Sequence, residues 1–179
     1  MPDSFMGLTT GQLSEYISAD CCGLLGADVL GKFDIIFHQP AGKMTLTSEI
    51  MQGTEEEVIS LEDCLGIPII KVNIDRAEYR MYLDTGAQFS YLQNDSLVEY
   101  PVVDTVEDFF PGYGTFEIDL HEVTTSIGDK SYDLKLGKLP DNLVAILSLA
   151  GVQGIIGNEI FMRRTTNYYP RRGKILFRD

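Results

Sequence analysis

MYLDTGAQFSYL, residues 81–92, runs an apolar strand pattern into Asp84-Thr85-Gly86-Ala87 and straight back into apolar residues. A surface turn has no need of the aromatics on its far side, and a buried strand has no need of the carboxylate. The pattern predicts an acid held inside the fold by the strands on either side of it.

Outward from this stretch the signals are mostly strand. In IPIIKVNI, Ile70, Val72 and Ile74 alternate with polar residues, and Pro68 sits at the entry, where its missing donor matters least. Asp75-Arg76-Ala77-Glu78 reads as a turn into a run in which Tyr79, Met81 and Leu83 share a face. Phe116, Ile118 and Leu120 alternate with Glu117 and Asp119. Tyr132, Leu134 and Leu136 repeat the pattern after a Gly128-Asp129 turn. DNLVAILSLA is the one convincing helix, with Asp141 placed to cap it. The fold class expected is mainly β with one short helix.

The chain also repeats itself. GLLGADVLGKFDIIFHQPAGKMTL (23–46) and GIIGNEIFMRRTTNYYPRRGKILF (154–177) both open on Gly, two aliphatics and Gly, and both reach Gly-Lys at the same offset. Each has a Pro shortly before that Gly, and helix-like spacing precedes each copy, in LSEYISADCC and LVAILSLAGVQ. Matched offsets of this length make chance a poor explanation. The organisation expected is a partial repeat over 1–50 (helix plus hairpin), an acidic linker over 51–64 containing Glu55-Glu56-Glu57, and a full unit over 65–179.

At 179 residues, 44% hydrophobic and 23% charged, the chain has the balance of a soluble globular protein with one good core. No apolar run is long enough for a membrane span, and the N-terminus lacks the basic start and apolar stretch of a signal peptide. A net charge of −13 argues against a nucleic-acid partner. The cations gather late, at Arg163, Arg164, Arg171, Arg172, Lys174 and Arg178, which reads as a solvated strand edge. Cys21, Cys22 and Cys64 fit neither a disulfide framework nor a zinc pattern, so a reducing, cytoplasmic setting is expected, with no metal and no cofactor. His38 and His121 lie near no Ser or Cys signature and read as surface residues, which leaves triad hydrolysis with little support. Carboxylate chemistry remains.

LDTGAQFSYL resembles the catalytic loop of aspartic proteases of the single-lobe, retropepsin-like type, in which D-T-G-A is followed three positions on by a Ser, here Ser90. GIIGNEIF (154–161) is similar to the aliphatic-aliphatic-Gly element near the end of such a lobe, and PGYGTFEI (111–118) lies where its glycine-tipped flap belongs. The resemblance covers roughly 65–179 and implies an acid-protease β lobe, with the N-terminal repeat as the tail of a second lobe of the pepsin superfamily. It implies Asp84, Thr85 and Gly86 as the catalytic loop, and Ala87 with Gly112, Tyr113 and Gly114 of the flap against a polypeptide substrate. Two carboxylates about 3 Å apart share one proton, so one acts as base on a water while the other protonates the departing group. One D-T-G per chain then implies a homodimer, each chain giving one Asp84 across a two-fold axis; an upstream lobe with its own aspartate is the other source. Gln88 and Asn158 stand where some family members carry an acid and an Arg that steady the dimer, so that ion pair is absent here.

For Asp84 the plainer alternative is a turn aspartate that hydrogen-bonds its own backbone. Three functions follow: a homodimeric aspartic endopeptidase, a non-catalytic peptide-binding module on the same fold, and a domain whose N-terminal copy fills the dimer face and keeps the dyad from forming.

Overall fold

The alternating runs fold as the sequence predicts, into strands that bury one side. The computed structural model describes residue 4 and residues 6–51, 58–162 and 164–178; Glu55-Glu56-Glu57 lies outside them. The central hairpin is β5 (Ile67–Ile74) with β6 (Ala77–Leu83), whose Ile70, Val72 and Met81 are wholly buried. Strands β4 (Glu62–Cys64), β7 (Ser90–Leu92), β8 (Val102–Phe110), β9 (Gly114–Ile127), β10 (Lys130–Gly137) and β11 (Gly154–Ile156) complete an eight-stranded sheet in the order β4-β5-β6-β11-β7-β10-β9-β8. Asn73 of β5 also pairs with Ser126 of β9, so the sheet curls back on itself. The mainly β expectation stands.

Strand β11 is three residues threaded between two others, parallel to β6 and antiparallel to β7. Only glycine fits at its start. A Cβ on Gly154 would lie 2.1 Å from the Tyr91 carbonyl oxygen, and one on Gly157 would lie 2.3 Å from that of Phe89.

A second sheet, of five strands, has the order β2-β1-β12-β13-β3, from β1 (Asp34–His38), β2 (Lys43–Thr47), β3 (Ile59–Ser60), β12 (Thr165–Tyr169) and β13 (Lys174–Arg178). Here the sequence repeat becomes geometry. Each part of the second hairpin begins 131 positions after its counterpart: strand 34 to 165, 3-10 turn 39 to 170, strand 43 to 174. Both turns end on a left-handed glycine, Gly42 at φ 59° and Gly173 at φ 58°. The two copies then pair with each other. Ile35 opposes Tyr168, Ile36 opposes Asn167, and Phe37 opposes Thr166. Shifting by 131 turns the first of these pairs into the third and the middle pair into itself, so a local two-fold passes through Ile36 and Asn167. The repeat over 1–50 therefore supplies two of the five strands of a sheet shared with the C-terminus, and the stretch expected as linker contributes β3 and β4.

Several expectations need correction. The 141–150 segment is helical only over α3 (Ala145–Ser148), and no side chain caps it. The turns ahead of it bond to the third residue back, Leu143 N–H to Pro140 and Val144 N–H to Asp141, and Gly151 at φ 59° follows it. The longest helix is α1 (Thr10–Ile17), closed by a Thr9–Gln12 capping box; α2 (Ala27–Leu30) and α4 (Glu159–Met162) are single turns. The late cations are not merely a solvated edge: Arg171 and Arg172 both pair with Asp34, which is 0% exposed, at 2.9 and 2.8 Å. His121 is buried, its Nδ1 2.9 Å from the Tyr100 carbonyl oxygen. Among the described residues no helix is long and apolar enough to cross a membrane, and Cys21, Cys22 and Cys64 are unbridged.

Candidate functional site

Buried Met81, Tyr82 and Leu83 deliver the chain to Asp84, and the parallel ladder runs one step past the strand, because the Asp84 N–H donates to the Ile156 carbonyl at 2.9 Å. The chain then turns. The Gly86 N–H donates to Asp84 Oδ1 at 2.8 Å and the Ala87 N–H to the Asp84 carbonyl at 3.3 Å. This is the self-bonded aspartate turn weighed above as the plainer reading, and it fixes one carboxylate oxygen while the side chain as a whole stays exposed. The expectation of an acid enclosed within the fold is corrected on that point: strands hold the backbone, and solvent reaches the carboxylate.

Residues 157 and 158 staple the loop from behind. The Asn158 N–H donates to the Ala87 carbonyl at 2.8 Å, and the Gly157 N–H donates to Ser90 Oγ at 3.0 Å, with Ser90 at 0% exposure. The Ser three positions after Ala87 thus has a structural task. It satisfies a buried amide where β11 ends and β7 begins.

Asp84, Thr85 and Gly86 line a cleft of about 690 Å³. Leu24, Leu25, Asp28 and Leu30 of the N-terminal copy line the same cleft, as do Phe37 and Tyr168. Burial, and next the Asp63 carboxylate, push the Tyr168 hydroxyl above the ordinary tyrosine range. Asp28 and Asp63 also line the cleft, so it carries three carboxylates; among the described residues no group is arranged to hold a metal ion. Sequence reasoning did not place Asp28 and Asp63 here. Asp28 lies in the repeat and Asp63 on β4, and only the tertiary packing of those two segments beside the acid loop brings them in.

Ala87 is half-buried and packs against the buried cluster that includes Ile69, Tyr82 and Tyr91 rather than lining the cleft. Gly112, Tyr113 and Gly114 form the tip of the β8–β9 hairpin, with Gly112 at φ 82° and Gly114 at φ 105°. Tyr113 meets Phe116 edge-on at 5.8 Å, and none of the three tip residues lines the cleft. The hairpin is tied elsewhere: Tyr91, just past the acid loop, donates its hydroxyl hydrogen bond to Asp108 of β8. Burial first, and then that carboxylate, raise the Tyr91 pKa. From outside, Tyr16 of α1 stacks on Phe109 at 4.6 Å.

No family model and no curated protein matches this chain. Among solved structures, the solution structure of the simian foamy virus (mac) protease aligns at a TM-score of 0.37 with 11% identity, over 50% of this chain and 86% of that one.

Proposed function

We propose that this chain is an aspartic endopeptidase, in which Asp84 shares a proton with a second carboxylate and the pair hydrolyses peptide bonds. The observation that carries this is the acid loop itself: a carboxylate on a three-residue turn, pinned from behind by Ile156, Gly157 and Asn158 and open to a cleft of substrate size. The ionised carboxylate takes a proton from water as its oxygen attacks the scissile carbonyl carbon. The protonated partner gives its proton to the carbonyl oxygen. On collapse of the tetrahedral intermediate the first carboxyl passes the water's proton to the nitrogen, the C–N bond breaks, and the partner carboxylate takes back a proton from the intermediate's hydroxyl. Asp28 and Asp63 favour polypeptide segments with basic side chains near the scissile bond.

The second carboxylate is Asp84 of another copy if the chain homodimerises. Such a dimer has to associate without using the edge of β12, which β1 of the same chain already holds. That occupied edge, together with the Gly86 amide on Asp84 Oδ1, favours the second reading, a non-catalytic peptide-binding module.

The test is cleavage of an unstructured polypeptide by the purified chain between pH 3 and 7, across a range of protein concentrations. Turnover that is best below neutral pH, rises with the square of concentration when dilute, is blocked by a statine-type mimic and is lost in Asp84→Asn supports the homodimeric peptidase. Peptide binding that survives Asp84→Asn, with no turnover at any concentration, overturns it in favour of the binding module.

A further inference from the structure

The N-terminal segment reaches the β8–β9 hairpin at two places. Tyr16 of α1 stacks on Phe109, with ring centroids 4.6 Å apart and planes 11° from parallel. At the tip, a Cβ on Gly112 would lie 3.8 Å from the Met6 carbonyl oxygen and 3.9 Å from the Met6 terminal methyl group. Both contacts come from one short piece of chain. The Thr9–Gln12 capping box starts α1 just after Met6, and beyond the helix the Cys21 N–H donates to Ser14 Oγ at 2.8 Å, folding the chain back on α1.

This piece is held weakly. An eight-residue helix is marginal on its own, and Leu13 is the one buried residue of α1. Tyr16 and Met6 stay 42% and 56% exposed. What the piece touches bears on the acid loop. Val106, Phe110 and Phe116 of the hairpin, and Ala87 and Phe89 of the loop, all pack against one buried cluster that includes Tyr91 and Ile118. Asp108 ties the hairpin to Tyr91, and Phe109, the next residue, meets α1. Successive strand residues point to opposite faces, so the hairpin is gripped from both sides at neighbouring positions.

We propose that residues 6–21 are a latch on this hairpin. Closed, as here, the latch holds the hairpin over the cluster behind the acid loop. When α1 frays, the hairpin lifts and that cluster opens, so α1 sets access to the back of the loop. The latch rests on the stacked rings and the Met6 contact and is independent of the proposed peptidase activity.

A latch couples two elements, and such coupling is reciprocal. Hydrogen exchange on the 179-residue chain reads both sides. Tyr16→Ala should speed exchange of the 109–116 amides about fivefold while those of β5 stay unchanged. Phe109→Ala should speed exchange over 10–17 by about the same factor. In the Phe109→Ala background, adding Tyr16→Ala should change the hairpin little further. Thr9→Ala, which removes the helix cap and leaves both rings in place, should also loosen the hairpin, by about fivefold. A hairpin whose exchange is unmoved when α1 is loosened would mean that the helix merely rests on it, and would overturn the latch. Equal acceleration in β5 would make Tyr16 a general stability residue and overturn it as well. Neither readout needs turnover, so failure of the latch and failure of the peptidase reading are distinct.

Discussion

The hairpins at 34–47 and 165–178 match in length, in turn type and in the left-handed glycine that ends each turn, yet one is core and the other is largely surface. The difference shows what each level of the fold contributes. A hairpin of this kind is made locally, by a Pro-containing 3-10 turn and a glycine that tolerates positive φ. Burial is made by whatever lies across it. Beneath β13 lie β5, β6 and β10, and Tyr132 and Phe161 meet Phe177 edge-on at 6.0 and 6.2 Å. Over β2 nothing comparable is packed among the described residues, and its first four residues are exposed.

The contrast is broken or sharpened by paired substitutions. The largest effect is expected from Phe177→Ala, which should cost about 4 kcal/mol in denaturant unfolding, against less than about 1 kcal/mol for Leu46→Ala at the matching position. Equal losses would mean that the first hairpin is covered after all. Next, Gly154→Ala should destabilise by about 3 kcal/mol, because its Cβ would strike the Tyr91 backbone. A Cβ on Gly23 meets nothing within 4 Å, so Gly23→Ala should shift the midpoint by less than about 0.5 kcal/mol.

The seam between the copies is where they cease to be equivalent. Asp34 is wholly buried and holds two arginines, while its counterpart Thr165 holds His38 Nδ1 through its hydroxyl. Removing the charge with Asp34→Asn should cost about 2 kcal/mol, a figure kept below that of a fully buried pair because both arginines are partly solvated. Thr165→Ala should cost about 0.5 kcal/mol. A smaller effect belongs to the tie between the acid loop and the β8–β9 hairpin. The Tyr91 pKa is raised above 10.0 in the folded state, so its protonated form contributes stability that is complete below pH 10 and declines as pH rises above it. Tyr91→Phe should lower stability by about 1 kcal/mol at neutral pH and flatten the alkaline limb of the unfolding midpoint.

Much of this was legible before any coordinates. Alternation at Ile70, Val72 and Ile74 and at Tyr132, Leu134 and Leu136 marks residues that are buried, because a strand shows its faces with period two. The repeat at Gly42-Lys43 and Gly173-Lys174 was legible because a left-handed position restricts the residue that fills it. The pairing of the copies with each other was not, since sheet partners far apart in sequence leave no local periodicity. For the same reason Arg171 and Arg172 looked like solvated charges until Asp34 was placed beneath them. His121 looked like a surface residue until the Tyr100 carbonyl was beside it. The helix over 141–150 was over-read: its apolar spacing is real, with Leu143 and Leu147 buried, but a single helical turn flanked by hydrogen-bonded turns meets the same need in a short connection.

The sequence by itself settled the mainly β class and the existence of two copies of one element, and it offered the Asp84 turn as one of two readings. These are decided by hard-sphere contacts and by periodicities a few residues long. The tertiary structure alone decided that the copies face each other across a local two-fold, that Asp84 stands exposed in a cleft lined in part by the first copy, and that Leu24 and Leu25 lack the cover given to Ile155 and Ile156. Those outcomes depend on what lies across each surface, and chain neighbours carry no record of that.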